Sequence, residues 1–179
     1  MEKYLRKNTR WSGRHKGVVF EIQNFKLGDR DQWAFYLLIP LEQVPEEVRE
    51  RLWLPPQKQE RVWIHYDYYG ESLIYDIRWH GGCTFYEKHG GFDGHPRLVK
   101  MGCDYGHLWD EGHEYNVSYV EMEARDAVDS FLEMVPGFKF WCCGNGKLYS
   151  RNEGRISEDG SFMSEEYWKD KPAWERAEA

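Results

Sequence analysis

Asp104, His107 and Asp110 stand at spacings of three and three, a short way beyond His80-Gly81-Gly82. A carboxylate beside an imidazole has two chemical uses: it fixes the ring's tautomer and raises its basicity, or both groups ligate a metal. Histidine with carboxylate suits zinc, manganese or iron, so the candidate cofactor is a divalent metal. On a helix the three residues would span about 120° of arc and converge on one ligand, whereas on a strand His107 would point away from both aspartates. Gly102 and Gly106 favour an irregular loop over either. The plainer alternative is a loop whose aspartates cap backbone N–H groups and whose histidine is hydrogen-bonded in the core.

His80 adds a second element, as a general base, a ligand or a polar hook for substrate. Backbone N–H groups at Gly81 and Gly82 can receive an anion, against the simpler reading of a glycine bulge with an incidental histidine. Thr84 and Tyr86, at alternate positions, can bring their hydroxyls to the same face. The candidate catalytic set is therefore His80, Asp104, His107 and Asp110, with Gly81, Gly82, Thr84 and Tyr86 as ligand contacts. In it His107 is base or ligand, Asp104 orients it, Asp110 is a second carboxylate and His80 meets the reacting group. The chain has no glycine-rich phosphate loop and no Gly-x-Ser-x-Gly elbow, so a serine-hydrolase mechanism lacks support. Cys83 and Cys103 read as packing thiols.

The segments around these residues point to an α+β fold: a mainly antiparallel, aromatic-rich sheet packed by one principal helix and one short helix. Residues 17–25 alternate as a strand, and Trp33 to Ile39 is an apolar run stopped by Pro40, so the two should pair as a hairpin. Val44, Val48 and Leu52 share a face of a short helix over 46–52, with Pro45 at its start and Pro55-Pro56 beyond its end. Arg61 to Tyr69 and Ser72 to Trp79 alternate around Gly70, which predicts a second hairpin delivering His80 at a strand end. Cys83 to Glu87 and Arg97 to Met101 read as further strands, with a glycine-rich loop carrying His89 and His95 between them. The apolar stripe from Val117 to Val135 predicts the principal helix over 116–135, closed by Pro136-Gly137. Residues 138–179 read as a polar, aromatic extension: Phe138 to Cys143 can form one more strand, Gly144-Asn145-Gly146 is a turn, and Phe162, Tyr167, Trp168 and Trp174 anchor the tail.

The 179 residues fit one domain, divided into a basic arm (1–16), a core (17–137) and the extension (138–179). A net charge of −7 argues against a broad nucleic-acid face, the exception being the arm, with Lys3, Arg6, Lys7, Arg10, Arg14 and Lys16. Such an arm grips phosphate or, more ordinarily, is a solvated terminus. No apolar run approaches the roughly eighteen residues of a membrane span, and the first residues lack a signal peptide's apolar region, so a cytoplasmic location is expected. Four cysteines without paired metal spacing suggest no disulfide framework, and adjacent Cys142-Cys143 read as buried thiols.

His80-Gly81-Gly82-Cys83-Thr84-Phe85, then Gly102, Asp104, His107 and Asp110, then Tyr119-Val120 with Glu121 and Glu123, resemble a family of uncharacterised small proteins of bacteriophages and prophages. The likeness spans Trp33 to Leu132, and the Trp33 to Pro40 run is similar to that family's aromatic strand. Tyr105 stands where members often carry Cys, and Trp109 where they carry Gly, which argues against either as a required nucleophile or ligand. The resemblance brings no activity with it. It supports the expectation of a phage-type protein that binds a small polar or nucleotide-like ligand at the His/Asp site and hydrolyses it, acting in the host cytoplasm. The alternative is a non-enzymatic partner of a host protein, such as an inhibitor of host defence, working through its acidic surface and aromatic tail.

Overall fold

The β2–β3 hairpin forms the centre of the structure, a computed structural model that describes residues 9–28, 30–52, 72–90 and 96–170. β2 (Val18–Leu27) and β3 (Arg30–Pro40) pair antiparallel about a turn at Gly28. β1 (Thr9–His15) joins one side of the hairpin, and β5 (Pro96–Asp104) followed by β4 (Phe85–Gly90) joins the other. Among the described residues this gives a five-stranded antiparallel sheet in the order β1-β2-β3-β5-β4. The described part of the basic N-terminal stretch is thus an edge strand, its side chains mostly exposed but its backbone paired to β2.

Period-two alternation places one buried row across the sheet. Phe20, Leu37, Met101 and Tyr86 lie opposite one another on successive strands, and Ile22, Phe35 and Cys103 form the row beside them. Against this face packs α2 (Val117–Met134), which contributes Val120, Ala124, Ala127, Val128 and Phe131 to the core. The two alanines allow close approach, and burying Phe131 alone stabilises the fold by about 1.5–3 kcal/mol. Asn116 starts the helix by accepting the Tyr119 N–H at 3.0 Å, and Val135 ends it, as the sequence pattern indicates. The short helix is α1 (Glu46–Arg49), continued as a 3-10 turn to Leu52. No described helix is long and apolar enough to cross a membrane.

The second hairpin requires correction. Its first arm, Arg61 to Tyr69, lies outside the described residues, but residues 72–79 are not a strand. Leu73–Tyr75 is a 3-10 turn whose Ser72 side chain accepts the Ile74 N–H at 3.3 Å and donates to the Arg51 carbonyl at 2.9 Å. Adjacent Leu73 and Ile74 are both buried, which a strand with one solvated face cannot arrange. His80 therefore enters the site from a loop.

The C-terminal part is built into the core. Phe138, Phe140, Cys142 and Phe162 are buried, and rings of Phe131, Phe138, Phe140 and Phe162 follow one another at centroid distances of 5.4, 5.2 and 5.2 Å. Two small ribbons carry them: β6 (Phe140–Trp141) with β7 (Leu148–Tyr149), and β8 (Gly154–Ile156) with β9 (Phe162–Ser164), followed by α3 (Glu165–Lys169). Trp174 lies outside the described residues. All four cysteines are free; Cys142 is buried, but Cys143, which opens the turn that follows it, is exposed beside Arg14.

Candidate functional site

Asp110 is the hub. The 3-10 turn Leu108–Asp110 folds it back onto His107, so that Oδ2 accepts the His107 backbone N–H at 2.9 Å and lies 3.1 Å from the ring Nδ1. Oδ1 faces His80 Nε2 at 2.7 Å and accepts the Tyr115 hydroxyl at 2.6 Å. The other nitrogen of His80, Nδ1, lies 3.1 Å from Glu123 of α2. Glu123 in turn accepts the hydroxyls of Tyr105 and of Tyr119, the latter at 3.0 Å. Stacking fixes both imidazoles: His80 lies on Tyr105 at 4.1 Å, and His107 lies parallel to Trp109 at 4.5 Å. Gly81, at φ +69°, lets the loop pass against the His107 ring, whose Cε1 would be 2.5 Å from a Cβ there.

Each ring nitrogen of His80 faces a carboxylate. Both can donate at once only when both carry hydrogen, which is the imidazolium form. His107 differs: Asp110 holds the Nδ1 proton, and Nε2 has no hydrogen-bond partner among the described residues. That tautomer leaves the Nε2 lone pair free. His80, His107 and Asp110 also present ligand atoms within 4.8 Å of one another, a His-His-Asp set that could coordinate a metal.

Burial by itself would raise the Asp110 carboxyl, but the hydrogen bonds from Tyr115, His80 and the His107 backbone outweigh it and hold the group below its ordinary 3.8. Burial first, and then the carboxylate partner, push the Tyr105 and Tyr115 hydroxyls up, so both stay protonated donors. Because the folded value for Asp110 is depressed, its contribution to stability is complete well above 3.8 and is lost as pH falls below that value. Thermal unfolding midpoints should therefore fall more steeply for the wild type than for Asp110→Asn once the pH drops through about 4. Parallel curves would show that Asp110 carries no such linkage.

Of the sequence candidates, the structure brings His80, His107 and Asp110 together, with Gly81 against them. Asp104 stands apart. It follows Cys103 on β5 and so points to the opposite face, where Oδ2 accepts the Thr84 hydroxyl at 2.7 Å and Oδ1 the Gly106 N–H at 2.9 Å. The carboxylate on the His107 ring is thus Asp110 rather than Asp104, and Thr84 serves Asp104. Tyr86 is buried, donating to the Leu52 carbonyl at 3.1 Å, and does not share a face with Thr84. Gly82, at φ +105°, shapes the loop. Burial pushes the Cys83 thiol up to about 12 and Cys103 well above its usual value, so neither is an activated nucleophile. His89 pairs with Glu87 at 3.6 Å on β4, and His95 lies outside the described residues.

Tyr105, Tyr115 and Glu123 are partners that sequence spacing did not assign. Glu123 sits four residues after Tyr119 on α2, a spacing that puts both on one helix face, but nothing local marks that face as the one meeting His80. The network opens into a cleft of about 580 Å³ bordered by His107, Asp110, Tyr105 and Tyr115 on one side and by Trp33 of β3 on the other. Comparison of the chain with known protein families, with curated proteins and with solved structures finds no match.

Proposed function

We propose that the protein binds a small polar ligand in this cleft and hydrolyses it with His107 as general base. The observation that carries this reading is the His107 ring itself, held through Nδ1 by Asp110 while Nε2 stays unbonded beside the cleft. In the reaction Nε2 accepts the proton of an attacking water and returns it to the leaving group as the scissile bond breaks, while Asp110 balances the imidazolium that forms. His80, with both ring nitrogens held by Asp110 and Glu123, fixes the Asp110 carboxylate rather than meeting the reacting group. A divalent metal held by His80, His107 and Asp110 would supply a polarised water at the same place. The resemblance to phage proteins supports a role in an infected host without naming a substrate.

Reactivity tests the base without a known substrate. Diethyl pyrocarbonate should modify His107 faster than His89, although the His107 side chain is 14% exposed and that of His89 45%. Asp110→Asn should slow the His107 reaction. Modification following exposure alone would remove the general-base reading. For the metal, zinc titrated into the apoprotein should bind stoichiometrically and be lost in His107→Ala; no binding would confine the site to acid–base chemistry.

A non-enzymatic interaction protein is the second reading, favoured by Leu108 and Trp109, residues 89% and 57% exposed beside the cleft. Here His107→Ala would leave partner binding intact and Leu108→Asp would abolish it.

A further inference from the structure

The charges around the cleft narrow the ligand class. Asp31, Asp110, Glu111 and Glu114 border it, and the one arginine among its described lining residues, Arg30, is tied to Glu111 at 2.8 Å. An anionic ligand would have to displace Glu111 from that pair and enter a field set by the remaining carboxylates. Lys26 offsets Asp31 at 2.5 Å, but Glu114 has no ion-pair partner among the described residues. The walls add a second preference. Trp33 is backed by Trp11, stacked on it at 5.6 Å, and Tyr105 and Tyr115 meet edge to face at 4.7 Å, so electron-rich rings border the same space. Aromatic faces with carboxylates attract flat or compact organic cations, and the rings remain an apolar wall for the uncharged part.

We infer that the cleft takes a small organic cation, an amine, amidine or guanidinium carried on a flat apolar group, and rejects phosphate-bearing ligands. The inference rests on the proposed ligand-binding role of the cleft and narrows its substrate to a class. In a hydrolytic role the scissile group would sit at His107 while the cationic end lies towards Glu114 and the Trp33 wall.

Three probes of nearly one shape and different charge test it: benzamidine, benzamide and benzoate, titrated by calorimetry into the full chain with a metal chelator present. The pH is held at about 8, above the ordinary histidine range. Benzamidine should bind roughly tenfold more tightly than benzamide, and benzoate should not bind. Glu114→Gln, a change at an exposed residue, should weaken benzamidine and leave benzamide unchanged. Trp33→Leu, checked for folding by circular dichroism, should weaken both. Benzoate binding as well as benzamidine, or no binding by any probe, overturns the inference. Its failure is separable from that of the general-base reading: rapid His107 modification with no preference for benzamidine sinks only the ligand class, whereas benzamidine binding with an unreactive His107 sinks only the chemistry.

Discussion

Asp110→Ala is expected to destabilise the protein by about 3–5 kcal/mol, the usual cost of removing one partner from a buried charged network. Only 4% of the Asp110 side chain is exposed, and its two oxygens receive contacts from both histidines, a tyrosine hydroxyl and a backbone N–H. Truncation leaves Tyr115 without an acceptor, frees the His107 ring to turn, and leaves His80 with Glu123 as its single carboxylate. Water can enter from the cleft and satisfy part of the set, which places the expected cost towards the lower end of the range. Denaturant midpoints with unchanged slopes would measure the loss. A cost below about 1 kcal/mol would mean that the four contacts are no better than ordinary surface bonds.

Gly81→Ala should cost about 2–5 kcal/mol, from two separable sources. An alanine at φ +69° carries about 1–2 kcal/mol of left-handed strain, and its Cβ, 2.5 Å from His107 Cε1 and 2.7 Å from Nε2, forces the ring to move, for about 1–3 kcal/mol of overpacking. Gly82→Ala separates them. It has φ +105° but open space where the Cβ would go, so it bears backbone strain without the clash. The discriminating measurement is the His107 reaction with diethyl pyrocarbonate: Gly81→Ala should change it through loss of the Asp110 contact, and Gly82→Ala should not. Equal behaviour of the two variants would mean that the loop, rather than the ring contact, sets His107.

Elements governed by short-range pattern were legible in the chain. The apolar run stopped by Pro40 and the stripe down α2 each declare themselves within a few residues, and both appear in the structure. Residues 72–79 misled because tyrosine, leucine and isoleucine alternate with polar groups there, yet Ser72 supplies a local cap that outcompetes strand pairing. Of the C-terminal ribbons, the Phe138 to Cys143 run announced β6 and Gly144-Asn145-Gly146 its turn, while β7, β8 and β9 were hidden for a different reason. Two- and three-residue strands carry no period, and Phe162 is recognisable as core only once Phe140 stands beside it. At the site, His107 and Asp110 were readable as members of one set, but the carboxylate expected to orient His107 was Asp104, whereas the structure gives that place to Asp110. Asp104 was drawn into the same set by equal spacing, although the end of β5 turns it to the other face, and Glu123 could be assigned only when α2 was docked on the sheet.

The bridge from Glu123 to His80 and on to Asp110 ties α2 to the loop that carries His80 and to the loop that carries Asp110. Its opening and closing should therefore be a shared event, in which the first turns of α2 and the 107–115 loop release their amide protons together. A ligand that binds only the closed arrangement would slow hydrogen exchange in α2 as well as at the cleft, by the same mass-action factor that tightens the whole unit. The helix that buries the core would then also report occupancy of the cleft, at amides the ligand never touches.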